Sequence, residues 1–205
     1  MRYFKKIWNF IWNDDSLLSW FVNVILAIVI VKFLIYPSLG FLLNTNFPVV
    51  AVVSCSMEHG ATNCGDNRIE DLCGMAELKD INNFDDYWGV CGSWYEAKNI
   101  TKEEFKKYPF KNGFKKGDIM VLIGKNFEDI KEGDILVFNI GGYNAPIIHR
   151  VIEKTKDGVG TKGDHNIDQN SFEKDIKKDK LLGKAVFRIP YLGWVKVIFS
   201  EIIGG

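Results

Sequence analysis

The chain has 205 residues, enough for one modest domain with an anchor or for two small domains. Its 26 basic and 26 acidic side chains cancel, so no global field draws in nucleic acid or an acidic partner. Four cysteines are too few for a disulfide scaffold, no C-x-x-C pair occurs, and the three histidines are scattered, so neither a metal nor another cofactor is expected.

Residues 1–15 precede a long apolar run. Residues 16–36, SLLSWFVNVILAIVIVKFLIY, supply about the 20 residues a helix needs to cross a bilayer, with Asn23 and Lys32 as the strongly polar interruptions. Lys32 comes late enough for its stem to reach the interface. Trp8, Phe10, Trp12 and Trp20 resemble an interfacial aromatic belt. The helix is expected to end near Pro37, leaving 16–43 as anchor and linker. A cleaved signal peptide would have a shorter apolar core and a small-x-small site before Pro37, so a retained anchor in the lipid bilayer is the reading. Arg2, Lys5 and Lys6 precede the span, and no Lys or Arg occurs between Lys32 and Arg68. The positive-inside bias puts the N-terminus in the cytoplasm and 44–205 outside the cell membrane. Asn99-Ile100-Thr101, a glycan-acceptor pattern, agrees with that side.

Beyond the anchor the chain reads as mainly β, a small barrel or sandwich. Residues 47–54 are short and valine-rich, as a buried strand is. Gly117-Asp118 and Gly133-Asp134 each mark a turn that opens an apolar run, DIMVLI and DILVFNI. Residues 146–154 and 159–162 flank an Asp157-Gly158 turn as a hairpin would, and 182–189 supply a further strand. Residues 59–112 read as an insertion with little periodicity, holding one short helix behind Thr101. Cys64, Cys73 and Cys91 lie there, with one disulfide and one spare thiol expected and the pairing left open. The apolar tail, 191–203, is too short and interrupted for a second span and suits the membrane surface or the sheet.

Three stretches carry chemistry. Ser56 stands where a strand ends, His149 inside a later strand, and Asp164 and Asp168 where a third strand enters a turn. A serine hydroxyl needs a base to take its proton, an imidazole suits that task, and a carboxylate can hold the imidazole's tautomer. Taken singly, each has a plainer role: a strand-end serine, a core histidine, a turn aspartate. His59 and His165 read as surface residues and Cys55 as buried on the opposite strand face.

In order along the chain stand S-x-S-M-E at Ser54, G-D-I-L-V-F at Gly133, H-R-V at His149 and T-K-G-D-x-N at Thr161. This series resembles the type I signal peptidases, in the archaeal and eukaryotic endoplasmic-reticulum branch that has histidine where bacterial relatives have lysine. The compact size and anchor look archaeal. The resemblance implies a serine endopeptidase that removes signal peptides from exported preproteins after small residues. It implies Ser56 as nucleophile, His149 as general base, and Ser54 with the Ser56 backbone as oxyanion hole. The acid stays open between Asp164 and Asp168, because the family's second aspartate position falls on Asn170. His59 departs from the family's usual proline. Walls for the small substrate side chains are expected from Val49, Val50, Ala51, Val52, Val53 and Ile147. Accessory subunits are left open. The rivals are a serine–lysine dyad using Lys162 and a non-catalytic anchored module that binds peptides.

Overall fold

The computed structural model describes residues 2–61, 71–76, 81–141 and 145–203. Two helices open the chain, α1 (Arg2–Asn13) and α2 (Leu17–Ile30). A π turn (Val31–Ile35) joins α2 to α3 (Tyr36–Leu42). Together the last three make one continuous apolar helix, Leu17–Leu42, long and apolar enough to cross a membrane and almost wholly unburied. The sequence reading stops this helix near Pro37, but it continues to Leu42. Pro37 has no N–H for the carbonyl four residues back, and the turn before it widens so that the Tyr36 N–H reaches Val31 O.

Seven strands form one antiparallel sheet: β1 (Val49–Ala51), β4 (Ile119–Ile123), β5 (Ile135–Phe138), β6 (Ile147–Lys154), β7 (Gly158–Lys162), β8 (Ile176–Lys177) and β9 (Leu181–Ile189). Their order is β1-β4-β9-β5-β6-β7-β8, with β2 (Asp71–Leu72) and β3 (Met75–Ala76) as a separate hairpin. Register shifts interrupt the β4–β9, β5–β9 and β6–β7 ladders. An extra residue on one strand bends it and increases twist, and the sheet curls into a half-barrel. The fold is mainly β, with one N-terminal apolar helix of spanning length.

The two Gly-Asp turns are built alike. Gly117 and Gly133 have φ of 88° and 87°, the left-handed region that glycine enters without strain. The aspartate after each folds back to accept the N–H three residues earlier, from Lys115 to Asp118 (2.8 Å) and from Lys131 to Asp134 (3.0 Å). Each turn thereby aims the strand that follows it, β4 or β5.

One core lies against the sheet and includes Val52, Met57, Phe114, Met120, Leu122 and Ile135. A second lies under the insertion. There the sequence expectation was wrong: α4 (Phe84–Glu96) spans 13 residues, besides the expected short α5 (Lys102–Phe105) behind the Thr101 capping box. Asn83 caps α4 through Asp85 and Asp86, and Phe84, Tyr87, Trp88, Cys91 and Tyr95 turn one aromatic face inward. Cys73 and Cys91 form a disulfide, 5.7 Å between Cα atoms. Cys55 is disulfide-bonded too and only half-buried, contrary to its reading as a buried thiol, and no described cysteine is free. Cys64 lies outside the described residues. The tail forms α6 (Trp194–Ile203), whose Val197 is buried.

Candidate functional site

Ser56 is held from several sides. Beyond β1 the chain turns, with the Glu58 N–H on Cys55 O (2.8 Å), and drives Met57 fully into the core. Met57 O accepts from the Phe114 N–H and Ser56 O from the His165 N–H, at 3.0 and 2.9 Å. Glu58 turns its carboxylate back to the Lys116 N–H (2.9 Å). Gly163 permits the close approach: a Cβ there would stand 2.8 Å from Ser56 O. The loop that bears Ser56 is thus fastened to the segments 114–116 and 163–165.

His149 is the third residue of β6, opposite Leu136 of β5, and is 5% exposed. Its Nε2 lies 3.0 Å from Ser56 Oγ. Its Nδ1 lies 2.5 Å from Glu173 Oε1, and Glu173 is fully buried. Glu173 ends a 3-10 turn (Ser171–Glu173) capped by Asn170, whose backbone and side-chain N–H groups donate to Oε2 at 2.9 and 2.7 Å. Thr161 Oγ adds a bond to Oε1 at 3.2 Å. Burial pushes the Glu173 pKa up, but the His149 bond and charge and the Asn170 bonds outweigh it and hold the carboxyl below its ordinary value. A carboxylate there accepts a hydrogen bond from Nδ1–H and holds the proton on that nitrogen, which leaves the Nε2 lone pair facing the serine hydroxyl.

Neither expected aspartate touches His149. Asp164 faces the other way. It takes a two-pronged bond from Arg150 (Nε 2.9 Å, Nη2 2.7 Å) and further bonds from His59 (2.8 Å) and Tyr95 (3.2 Å). Burial would raise its pKa, but the Arg150 guanidinium and His59 hold it well below the usual carboxylate range. Asp168 is exposed and accepts from Trp94 Nε1 (2.9 Å). Alternation along β7 and its exit puts Thr161 on the Glu173 side and Lys162 on the other. The Lys162 ammonium donates to Gly163 O (3.0 Å) and lies over the rings of Trp94 and Tyr95. Burial lowers its pKa to about 8.

His165 is buried and His59 is largely covered, not on the surface as the sequence suggested. His59 stacks on Tyr87 at 3.5 Å between ring centroids while bonding Asp164, and His165 is 3% exposed. The insertion causes both: it lays α4 over the loop that the sequence alone leaves open. Its burial lowers the His59 pKa, against the pull of Asp164. Glu173 carried one sequence signal, an Asn-x-x-Glu capping pattern at Asn170, which predicts a tight turn and says nothing of a histidine.

Ser54 Oγ lies 3.1 Å from Ser56 Oγ. Of the expected wall residues, Val49, Val50 and Ala51 form the half-buried β1, Val52 is in the core, and Val53 is 38% exposed. Ile147 opens β6, half-buried, two residues before His149. A separate cleft of about 770 Å³, lined by Glu58, His59, Phe84, Lys111 and Arg188 among others, runs beside the insertion; neither Ser56 nor His149 lines it. Ser56, His149 and Glu173 form a hydrogen-bonded series of hydroxyl, imidazole and carboxylate. Such a series can deprotonate the hydroxyl and stabilise the imidazolium that results.

No family model matches the chain. It is 34% identical over 98 residues to the signal peptidase complex catalytic subunit sec11 of Sclerotinia sclerotiorum, and 35% identical over 99 residues to SEC11 of Colletotrichum graminicola. It is 33% identical over 98 residues to the signal peptidase complex catalytic subunit SEC11C of Canis lupus familiaris. Each match covers 43% of this chain, and 57%, 57% and 51% of the respective relative. The chain thus spans a little over half the length of the curated relatives it matches. These homologues are catalytic subunits of signal peptidase. All three are eukaryotic, so they lend no support to the archaeal look of the size and anchor.

Proposed function

We propose that the chain is a membrane-anchored serine endopeptidase that removes signal peptides from exported preproteins, with Ser56 as nucleophile, His149 as general base and Glu173 as the carboxylate behind it. One observation carries the reading: the unbroken series Ser56 Oγ, His149 Nε2 at 3.0 Å, His149 Nδ1, Glu173 Oε1 at 2.5 Å. The similarity to signal peptidase catalytic subunits supports the substrate class.

The preprotein's cleavage region lies extended along β1, which pairs only with β4 among the described residues. Val53 and Ile147 help to wall shallow sites for small side chains. Ser56 Oγ attacks the scissile carbonyl while His149 Nε2 takes its proton. The Ser54 hydroxyl and the Ser56 backbone N–H meet the oxygen as it gains charge. His149 then gives the proton to the leaving amine, and water, deprotonated by the same imidazole, releases the acyl chain. Glu173 stays ionised throughout. The helix Leu17–Leu42 anchors the enzyme, with residues 1–15 on the cytoplasmic side and 44–205, including the insertion at 59–112, on the side to which preproteins are exported. Confinement of enzyme and substrate to one surface raises their effective concentration. Partner subunits fit the relatives' description as parts of a complex.

The test is turnover of a preprotein by purified protein. Ser56→Ala and His149→Ala are expected to abolish cleavage while both variants stay folded. Full activity in either one overturns the assignment. Lys162→Ala separates the dyad alternative, since a dyad needs that amine and the His149 reading does not. Peptide binding without turnover in the unaltered protein would leave the non-catalytic module instead.

A further inference from the structure

We propose that α1 is a second membrane contact, an in-plane helix that lies in the anionic leaflet at the N-terminal end of the span. The inference rests on the anchor reading above and goes beyond its aromatic belt and basic flank to the placement of the whole helix α1.

The first observation is the segregation of side chains. At 3.6 residues per turn, all the apolar residues from Tyr3 to Trp12 fall on one side of α1. Arg2, Lys5, Lys6, Asn9 and Asn13 fall on the other, without mixing. The apolar side is the wider. The polar side is narrow, and its three charges are all positive. The first acids, Asp14 and Asp15, come only after the helix has ended. In water this face would be an open liability: Tyr3, Phe4, Ile7, Trp8 and Trp12 are each more than half exposed, and α1 has no buried residue. A wide apolar face opposite a basic one is the pattern of a helix lying at a lipid interface.

The second observation fixes where the face points. The only side-chain bonds between α1 and α2 are made at the last turn of α1, among the described residues. Ser19 Oγ donates to Phe10 O (2.6 Å), and Asn23 Nδ2 donates to Ile11 O (2.9 Å). These are carbonyls at the end of a helix, where no intrahelical partner remains. Asn23, a strongly polar interruption of the span, thereby gives a side-chain N–H to the Ile11 carbonyl. The link 14–16 is tight, with the Ser16 N–H on Asp14 Oδ1 (2.8 Å) and Ser16 capping α2. Were α1 folded back along the span, one of its stripes would be buried against α2, and none is. It leaves the span at an angle, pinned at one end. With α2 across the bilayer, α1 runs along the surface at the depth of Ser19 and Asn23. Its apolar face then enters the acyl chains, and its cations meet headgroup phosphates, which an anionic leaflet supplies in excess.

The experiment uses the full chain in lipid nanodiscs. Single cysteines replace residues 4–11 in turn, each carries a spin label, and native disulfides stay oxidised. Accessibility to oxygen, which partitions into lipid, is compared with accessibility to a water-soluble nickel chelate. The oxygen-to-nickel ratio is expected to oscillate with the helical period, high at Phe4, Ile7 and Ile11 and low at Lys6 and Asn9, by about fivefold or more. The contrast is expected to grow by about twofold when phosphatidylcholine is partly replaced by phosphatidylglycerol, and Lys5→Gln with Lys6→Gln to abolish that growth. Nickel access at every site overturns the proposal, as does a site pattern shielded from both reagents, which would mean protein cover. No lipid dependence overturns its anionic part. A label at Ile28 reports the span separately: nickel access there sinks the anchor reading itself, whereas a lipid-buried Ile28 with a solvated α1 sinks only this inference.

Discussion

A carboxylate behind the imidazole has two tasks in the proposed mechanism: to hold the proton on Nδ1 so that Nε2 keeps its lone pair for Ser56, and to stabilise the imidazolium that forms. Glu173 is placed for it by its own turn: one oxygen faces His149 while the other closes the Asn170 cap. Glu173→Gln keeps the shape but can offer an amide N–H to Nδ1, which favours the tautomer with its proton on Nε2. Turnover is expected to fall about 10³- to 10⁴-fold, as loss of a triad carboxylate does elsewhere. Asp168→Asn removes an exposed charge but keeps an amide oxygen that can accept from Trp94, and is expected to stay within about twofold, in line with the roughly 0.5 kcal/mol typical of surface changes. Cleavage rates of the two variants against one preprotein decide the matter: a silent Glu173→Gln and a dead Asp168→Asn would exchange their roles. Asp164 is a separate case, because removing its charge strands Arg150 in the core, and its loss would act through folding.

Lys162 gives a pH signature at the same scale. Its folded pKa, about 8, lies below the ordinary 10.5, so the charged form is the one penalised by folding. Below pH 8 both folded and unfolded chains hold the proton, and the burial cost is felt in full. Between about 8 and 10.5 the folded chain releases the proton while the unfolded one keeps it, so this residue's contribution to stability rises with pH. Lys162→Met removes the charge. Its stability relative to the unaltered protein is therefore expected to decline across that window, by roughly 3 kcal/mol at most. Denaturant melts in detergent at pH 7, 9 and 10.5 read the difference, and a constant offset would show that the amine is not desolvated as its surroundings imply.

At the scale of elements, the strands were the legible part. Valine-rich or alternating runs behind Gly-Asp turns become β4 and β5, and β6 and β7 do pair as a hairpin, joined through 155–157 with Gly158 already in β7. Their boundaries move by a residue or two, and β1 is shorter than the apolar run that announces it because the chain must leave the ladder to present Ser56. Position in the sheet was not legible: 47–54 reads as a buried strand, yet β1 is an edge. β8 was missed because two residues carry no alternation to read. The helix α4 was missed for a different reason. Its glycines and aromatics are poor helix formers, and its stability comes from the Asn83 cap and from packing on Phe105 and Ile152, neither of which a local pattern reports. The same blindness hid the site's surroundings. Ser56 and His149 are 93 residues apart, and nothing local to either shows the 3.0 Å between them; the ordered motifs supplied that link. For Glu173 there was no motif to supply it. The insertion had a role that spacing could not disclose: Tyr87 donates to Asp164 O (2.9 Å) and the Cys73 N–H to His165 O (2.9 Å), so α4 and its disulfide grip the segment that bonds Ser56 O.

For the whole molecule, what matters is how the span is joined to the sheet. The segment between Leu42 and Val49 is not a loose tether. The Gly124 N–H donates to Leu43 O (2.8 Å), Thr45 Oγ donates to Leu182 O (2.8 Å), and the Leu122 N–H donates to Pro48 O (2.9 Å). Gly124 must be glycine for this, since a Cβ there would overlap Asn44 O at 1.7 Å. The linker is fastened to strands β4 and β9, and the edge strand β1 begins directly after it. In the proposed enzyme Ser56 therefore stands at a set height above the lipid, and a signal peptide whose apolar core is in the bilayer presents its cleavage region at a set height too. Matching the two is a positioning device, and displacement of a reacting group by an ångström can cost about 100-fold in rate. Inserting Gly-Ser-Gly-Ser between Asn44 and Thr45 frees the sheet from the span without touching the site. Cleavage of a short water-soluble peptide is expected to persist within about threefold, whereas cleavage of a membrane-inserted preprotein is expected to slow by about tenfold or more and to spread over neighbouring bonds. Mass spectrometry of the released chains measures both effects. Equal loss on the two substrates would mean that the insertion has damaged the sheet, and no loss on either would mean that the height of Ser56 is not what selects the bond.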